Sequence, residues 1–133
     1  MIDRSVKYLP TTGWTWKKNP FIDTHPLNGL KIIVMLTSNW DNKDGRDPSS
    51  NTAIVRRGHV HGPLIYMVID WGGSMGKWGN FFTREKWDCD GYAGQSSDFI
   101  KAVNGREVKF GFAGQHDGDF KDGITTRDVR WVM

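Results

Sequence analysis

Leu64-Ile65-Tyr66-Met67-Val68-Ile69-Asp70-Trp71-Gly72-Gly73 is a nearly continuous apolar run that closes on a carboxylate and two glycines. Its length suits a strand, and the lack of polar alternation reads as a strand buried on both faces. Before it, Gly58-His59-Val60-His61-Gly62-Pro63 has the composition of a turn, and Thr52 to Arg56 reads as the partner strand. The pair forms a hairpin that opens just after Asn51 and delivers Asp70 to its far end.

Working upstream, Asn51 closes a polar loop, Asn42-Lys43-Asp44-Gly45-Arg46-Asp47-Pro48-Ser49-Ser50, whose Gly and Pro sit where turns need them. That loop follows Asp41, and Asp41 follows the long apolar stretch from Leu27 to Trp40. Leu27, Leu30, Val34 and the neighbouring Ile33 and Leu36 recur at three- and four-residue spacing, with apolar residues on the side faces too. The pattern predicts a helix buried on most sides. Dense β-branched residues make Ile32 to Leu36 a competing strand. Thr24 before His25-Pro26 supplies a hydroxyl cap and a proline where no amide partner is needed, which favours the helix. Residues 1–25 read as an irregular arm with a short strand, from which Trp14, Trp16 and Phe21 lie down on a core of residues 26–133, the whole forming a single domain over 1–133.

Downstream of Gly73 the chain reads as loop-rich. Ser97 to Val103 suits a short helix or a strand, and Arg106 to Phe112 alternates as a half-exposed strand does. Near the end, Ile124-Thr125-Thr126-Arg127-Asp128-Val129-Arg130-Trp131-Val132-Met133 has a Thr cap for a helix, an acid near its first turn, and Val129 with Val132 on one face. The fold class expected is α+β, in one domain.

Bulk composition agrees with a folded chain of this kind. The 133 residues allow one modest core, and seven Trp with seven Phe are incompatible with disorder. Sixteen glycines and five prolines between short apolar runs favour turns and strands over a helical bundle. The net charge of +3 comes from 18 basic and 15 acidic residues that are well mixed, so a nucleic-acid stripe is not expected. Met1-Ile2-Asp3-Arg4-Ser5 lacks the start of a signal peptide, and no apolar run reaches the roughly 18 residues of a membrane span, so a soluble chain is expected. The single Cys89 excludes an internal disulfide.

The order Asp41, Asn51, Asp70 is what a metal-dependent phosphate site needs. A carboxylate holds Mg²⁺ against the phosphates, an oxygen ligand such as Asn completes the shell, and another carboxylate orients the accepting hydroxyl and takes its proton. Asp70, Asn51 and Asp41 fill those roles in that order, and Lys43 adds positive charge against the transferred phosphoryl group.

These residues resemble the C-terminal lobe of protein-kinase-like folds. Asn39-Trp40-Asp41-Asn42-Lys43 stands in place of the His-Arg-Asp loop, and Asp70-Trp71-Gly72 in place of Asp-Phe-Gly. The strings Asn19-Pro20-Phe21, Leu27-Asn28-Gly29-Leu30-Lys31 and Asp128-Val129-Arg130-Trp131 are similar to those of uncharacterised bacterial proteins with atypical kinase-like domains. The resemblance implies ATP and Mg²⁺ as cofactors, with Asp41 and Lys43 catalytic, Lys43, Asn51 and Asp70 facing the nucleotide, and Asn51 and Asp70 on the metal. The phosphate acceptor is left open. Ten residues separate Asp41 from Asn51 where the kinase pattern has about five, so Asp44 or Asp47 is an alternative ligand. No Gly-rich loop or Val-Ala-Ile-Lys strand precedes Asn39. With the end at Met133, this implies a truncated chain whose N-terminal lobe is missing and which is inactive alone.

Other motifs compete less well. Gly72-Gly73-Ser74-Met75-Gly76-Lys77-Trp78 fails as a phosphate loop, because Trp71 holds the first Gly position and no Ser or Thr follows Lys77. His59 and His61 are the only close histidine pair and read as turn residues. Trp14, Trp16, Trp78 and Trp87 offer the alternative function, a Trp-rich, non-catalytic module for glycan or protein.

Overall fold

The computed structural model describes residues 7–8, 15–39, 51–58, 61–78, 84–113 and 121–133. Its architecture is α+β, with small antiparallel sheets set around a central helix. That helix, α1 (His25–Leu36), starts where Thr24 Oγ1 accepts the Leu27 N–H and Pro26 occupies the first turn. Leu27, Ile32, Val34 and Met35 are buried along it, each contributing roughly 1.5–3 kcal/mol of apolar burial. Asn28, Gly29 and Lys31 are buried as well, so the helix is covered on most sides, as its apolar flanks lead one to expect. The strand alternative at Ile32–Leu36 does not form.

The first sheet has the order β1 (Lys7–Tyr8), β2 (Thr52–Arg56), β3 (Leu64–Val68), all antiparallel. The hairpin β2–β3 pairs Ile54 with Tyr66 and runs into Asp70 as expected. The burial expected of its second strand is corrected: β3 is only half-buried, with Met67 40% and Ile69 59% exposed, whereas Thr52 to Val55 of β2 are buried. The reason is position, since β2 is the middle strand and β3 is the edge. Tyr66 turns inward against Trp16, with ring centroids 5.4 Å apart, and Phe21 meets its edge at 6.0 Å. Burial pushes the Tyr66 phenol far above its ordinary range, and a hydrogen bond with Thr52 pulls partly the other way.

The half after Gly73 carries more regular structure than a loop-rich reading allows. β4 (Gly76–Trp78) pairs with β5 (Arg84–Lys86), and α2 (Cys89–Ser96) follows, capped by Asp88. β6 (Ile100–Asn104) and β7 (Glu107–Phe110) form a hairpin, so the ambiguous stretch Ser97–Val103 resolves as a turn and a strand. β7 alternates as its sequence predicts, with Val108 and Phe110 buried. The last helix, α3 (Thr126–Val132), begins in a capping box between Thr125 and Asp128.

The core gathers Trp16, four residues of α1, and Val108, Phe110, Phe112 and Ile124. Glycines permit two close approaches. A Cβ on Gly29 would stand 2.8 Å from the side chains of Trp131 and Val132, where α3 crosses α1. A Cβ on Gly111 would run into the Asp98 carbonyl. No helix among the described residues is long and apolar enough to cross a membrane.

Candidate functional site

The site is built from the way α1 stops. Thr37 is its C-cap, Ser38 takes the left-handed conformation at φ 47°, and two backbone bonds close a Schellman motif: Ser38 N–H to the Met35 carbonyl at 3.1 Å and Asn39 N–H to the Val34 carbonyl at 3.0 Å. Glycine usually holds the position Ser38 occupies, because a side chain there costs about 1 kcal/mol. Ser38 is fully buried, and its hydroxyl donates to Gln95 Oε1 of α2 at 2.9 Å. Tyr92, also of α2, donates its hydroxyl to the Leu36 carbonyl at 2.5 Å, satisfying one of the orphan acceptors at the helix end.

This turn hands the chain to Asn39, which is 1% exposed. Its amide donates to the Asp70 carbonyl at 3.3 Å, and the Met75 N–H donates to the Thr37 carbonyl at 2.7 Å. The end of α1 is thereby fastened to both ends of the loop that carries Asp70. On the other side, the Ile69 N–H donates to the Asn51 carbonyl at 2.8 Å, which brings Asn51 and Asp70 to one end of the hairpin. Asn51 and Met75 stand at φ 56° and 60°, so these two and Ser38 put left-handed, non-glycine backbone at this one junction. Such strain persists only where the surroundings hold it, and it gathers at functional sites.

Asp70 itself is exposed. Its Oδ1 accepts the Gly72 N–H at 2.6 Å, which fixes the carboxylate over its own turn, while Oδ2 has no hydrogen-bond partner among the described residues. Of the residues singled out from sequence, Asn51 and Asp70 thus lie together. Asp41 and Lys43 lie outside the described residues, as do Asp44 and Asp47. Asn39 is the residue that sequence reasoning passed over; the available signal was an Asn placed directly after the polar stop Thr37-Ser38 of a buried helix.

Among the described residues, no group of three or more His, Cys, Asp or Glu side chains is placed to hold a metal ion. His59 lies outside them, and His61 is exposed. Trp16 is a core residue at 1% exposure, whereas Trp87 is 75% exposed; Trp14 lies outside the described residues.

A second polar cluster lies at the other end of α1. Asp128, 3% exposed, accepts from His25 Nδ1 at 2.6 Å, from the Thr125 N–H at 2.7 Å and hydroxyl at 2.8 Å, and from the Asn28 amide at 3.2 Å. Burial alone would raise its pKa; the bonds from His25, Thr125 and Asn28 outweigh that and hold the carboxyl below the ordinary aspartate range. This cluster ties α3 to α1.

The chain matches no family model, no curated protein and no solved structure.

Proposed function

We propose that this chain is the C-terminal-lobe portion of a kinase-like phosphotransferase that binds ATP with Mg²⁺. The observation that carries the reading is the convergence of Asn39, Asn51 and Asp70, from three separate segments, at one end of the β2–β3 hairpin. The donor set suits the ion: Mg²⁺ takes oxygen ligands and is commonly held by one or two carboxylates together with waters and nucleotide phosphates, rather than by a full protein cage. Asp70 Oδ2 and the Asn51 side chain would hold it. The chemistry the ion would supply when bound is neutralisation of charge on the transferred phosphoryl group.

The protein's own part is placement. The Asn39 amide holds the Asp70 carbonyl, the Asn51 carbonyl holds the N–H of the preceding Ile69, and the Gly72 N–H orients the Asp70 carboxylate. Asp41, two residues beyond Asn39, would receive the acceptor's proton, and Lys43 would face the phosphoryl group. Met67, Ile69, Trp71 and Met75, each 40–59% exposed, are apolar residues of the segment that carries Asp70.

The test is calorimetric titration of ATP, with and without Mg²⁺, into the protein and into Asp70→Asn. Binding that needs Mg²⁺ and weakens at least tenfold in the variant is expected. No binding, or binding indifferent to Mg²⁺ and to the substitution, would sink the proposal. The second reading, a Trp-rich binding module, is favoured by the exposure of Trp87. Glycan binding lost in Trp87→Ala, with no nucleotide binding, is its signature.

A further inference from the structure

An apolar groove of about 690 Å³ lies on the far side of α1 from Lys31, between that helix, the edge strand β3 and the end of α3. Leu30 and Ile33 of α1, Leu64 and Ile65 of β3, and Trp131 of α3 are among the residues that line it. Among the described residues the lining contains no charged side chain, and from Pro26 to Ile33 it follows α1 for roughly 10 Å, or two helical turns. Trp131 remains 55% exposed at its mouth.

The margin, unlike the floor, is basic. Arg56 sits directly opposite Leu64 in the hairpin, and its guanidinium donates to the Gly62 carbonyl at 2.9 Å with no carboxylate partner among the described residues. On α3, Arg127 stands one turn before Trp131 on the same face and is exposed. Asp128, the acid of that helix, is buried and turned toward His25. Arg56, directly across the hairpin from the lining residue Leu64, and Arg127, one turn from Trp131, are therefore in register with an apolar trough that has no acid among its described lining residues.

We propose that this groove is the docking site of an amphipathic helix from a partner protein, one with an apolar row of two turns and an acidic margin. The length and apolar walls match the helix-in-groove mode, in which side chains at i, i+3, i+4 and i+7 enter the trough. The arginines supply the complementary charge that steers encounter and fixes register. A second copy of this chain fits poorly, since two such margins would bring arginines against arginines. A small ligand also fits poorly, because a ligand site needs a few convergent polar groups to orient its occupant and this floor has none to spare.

Two 18-residue helical peptides test this, each with leucines at i, i+3, i+4 and i+7, one with glutamates and the other with lysines on both margins. Fluorescence anisotropy with the full chain should give saturable one-to-one binding of the glutamate peptide, at least tenfold tighter than that of its lysine twin. Ile33→Asp should abolish binding. Because that change can also disturb α1, the surface variant Arg56→Glu/Arg127→Glu provides an independent arm, and it should reverse the preference between the peptides. The proposal is overturned if neither peptide binds, if both bind equally, or if the charge reversal leaves the preference unchanged. Two other results also overturn it: concentration-dependent dimerisation that excludes the peptide, and displacement of the peptide by micromolar laurate.

Discussion

Asp128 and Ser38 sit at opposite ends of α1, and each ties a neighbouring helix to it. Because the native pKa of Asp128 lies below the ordinary aspartate value of about 3.9, the native state binds fewer protons than the unfolded chain there. Its contribution is complete above that value and is lost as the pH falls through the lower native one. Asp128→Asn should therefore cost about 1–3 kcal/mol at pH 7, and urea unfolding should show the gap from the parent narrowing below about pH 4. Ser38 poses a sharper contrast. Ser38→Gly relieves the left-handed backbone while losing the bond to Gln95, two effects of about 1 kcal/mol each and opposite sign. Ser38→Ala keeps the strain and loses the bond, so it should be the less stable variant by about 1 kcal/mol in the same measurement; equal stabilities would show that the backbone there is unstrained.

Among the elements, α1, the hairpin and α3 were legible because their signals are local: a Thr cap, a proline or an acid in the first turn, an unbroken apolar run. α2 was not, since Cys-Asp-Gly-Tyr-Ala-Gly-Gln-Ser has two glycines and no apolar face. It is held by Tyr92 and Gln95 reaching the end of α1, more than fifty residues away in sequence, and no periodicity encodes that. The exposure of β3 escaped for a related reason: an apolar run reports a strand, not whether the strand is central or at an edge. At the candidate site, the proximity of Asn51 and Asp70 could be read from their places where the hairpin opens, while the bond from Asn39 to Asp70 depends on how the helix stops. Element contacts also rank two substitutions. Gly29→Ala gains about 1 kcal/mol of helix propensity and presses on side chains that can shift, but Gly111→Ala meets a backbone carbonyl that cannot. Thermal unfolding should show Gly29→Ala costing about 1 kcal/mol and Gly111→Ala about 3 kcal/mol.

Across the whole molecule, the core and the candidate site draw on different residues, and that division makes function separable from stability. Trp16, α1 and β7 pack the interior, while Asp70 stands exposed at the end of an edge strand and, among the described residues, its side chain is held by the Gly72 amide alone. Replacing its carboxylate by an amide removes a negative charge without emptying any buried volume. Asp70→Asn should then leave the unfolding free energy within about 0.5 kcal/mol of the parent. Asn39→Ala, which deletes a buried amide, should cost about 1–3 kcal/mol. Ligand linkage reads the same pair from the other side: a nucleotide at a hundred times its dissociation constant stabilises a protein by about 2.7 kcal/mol. Mg²⁺ and ATP together should raise the Tm of the parent by several degrees, with little effect from either alone, and should leave Asp70→Asn unmoved. A Tm that rises equally in both proteins would place the nucleotide away from this carboxylate, at a surface where Asn39, Asn51 and Asp70 have no part.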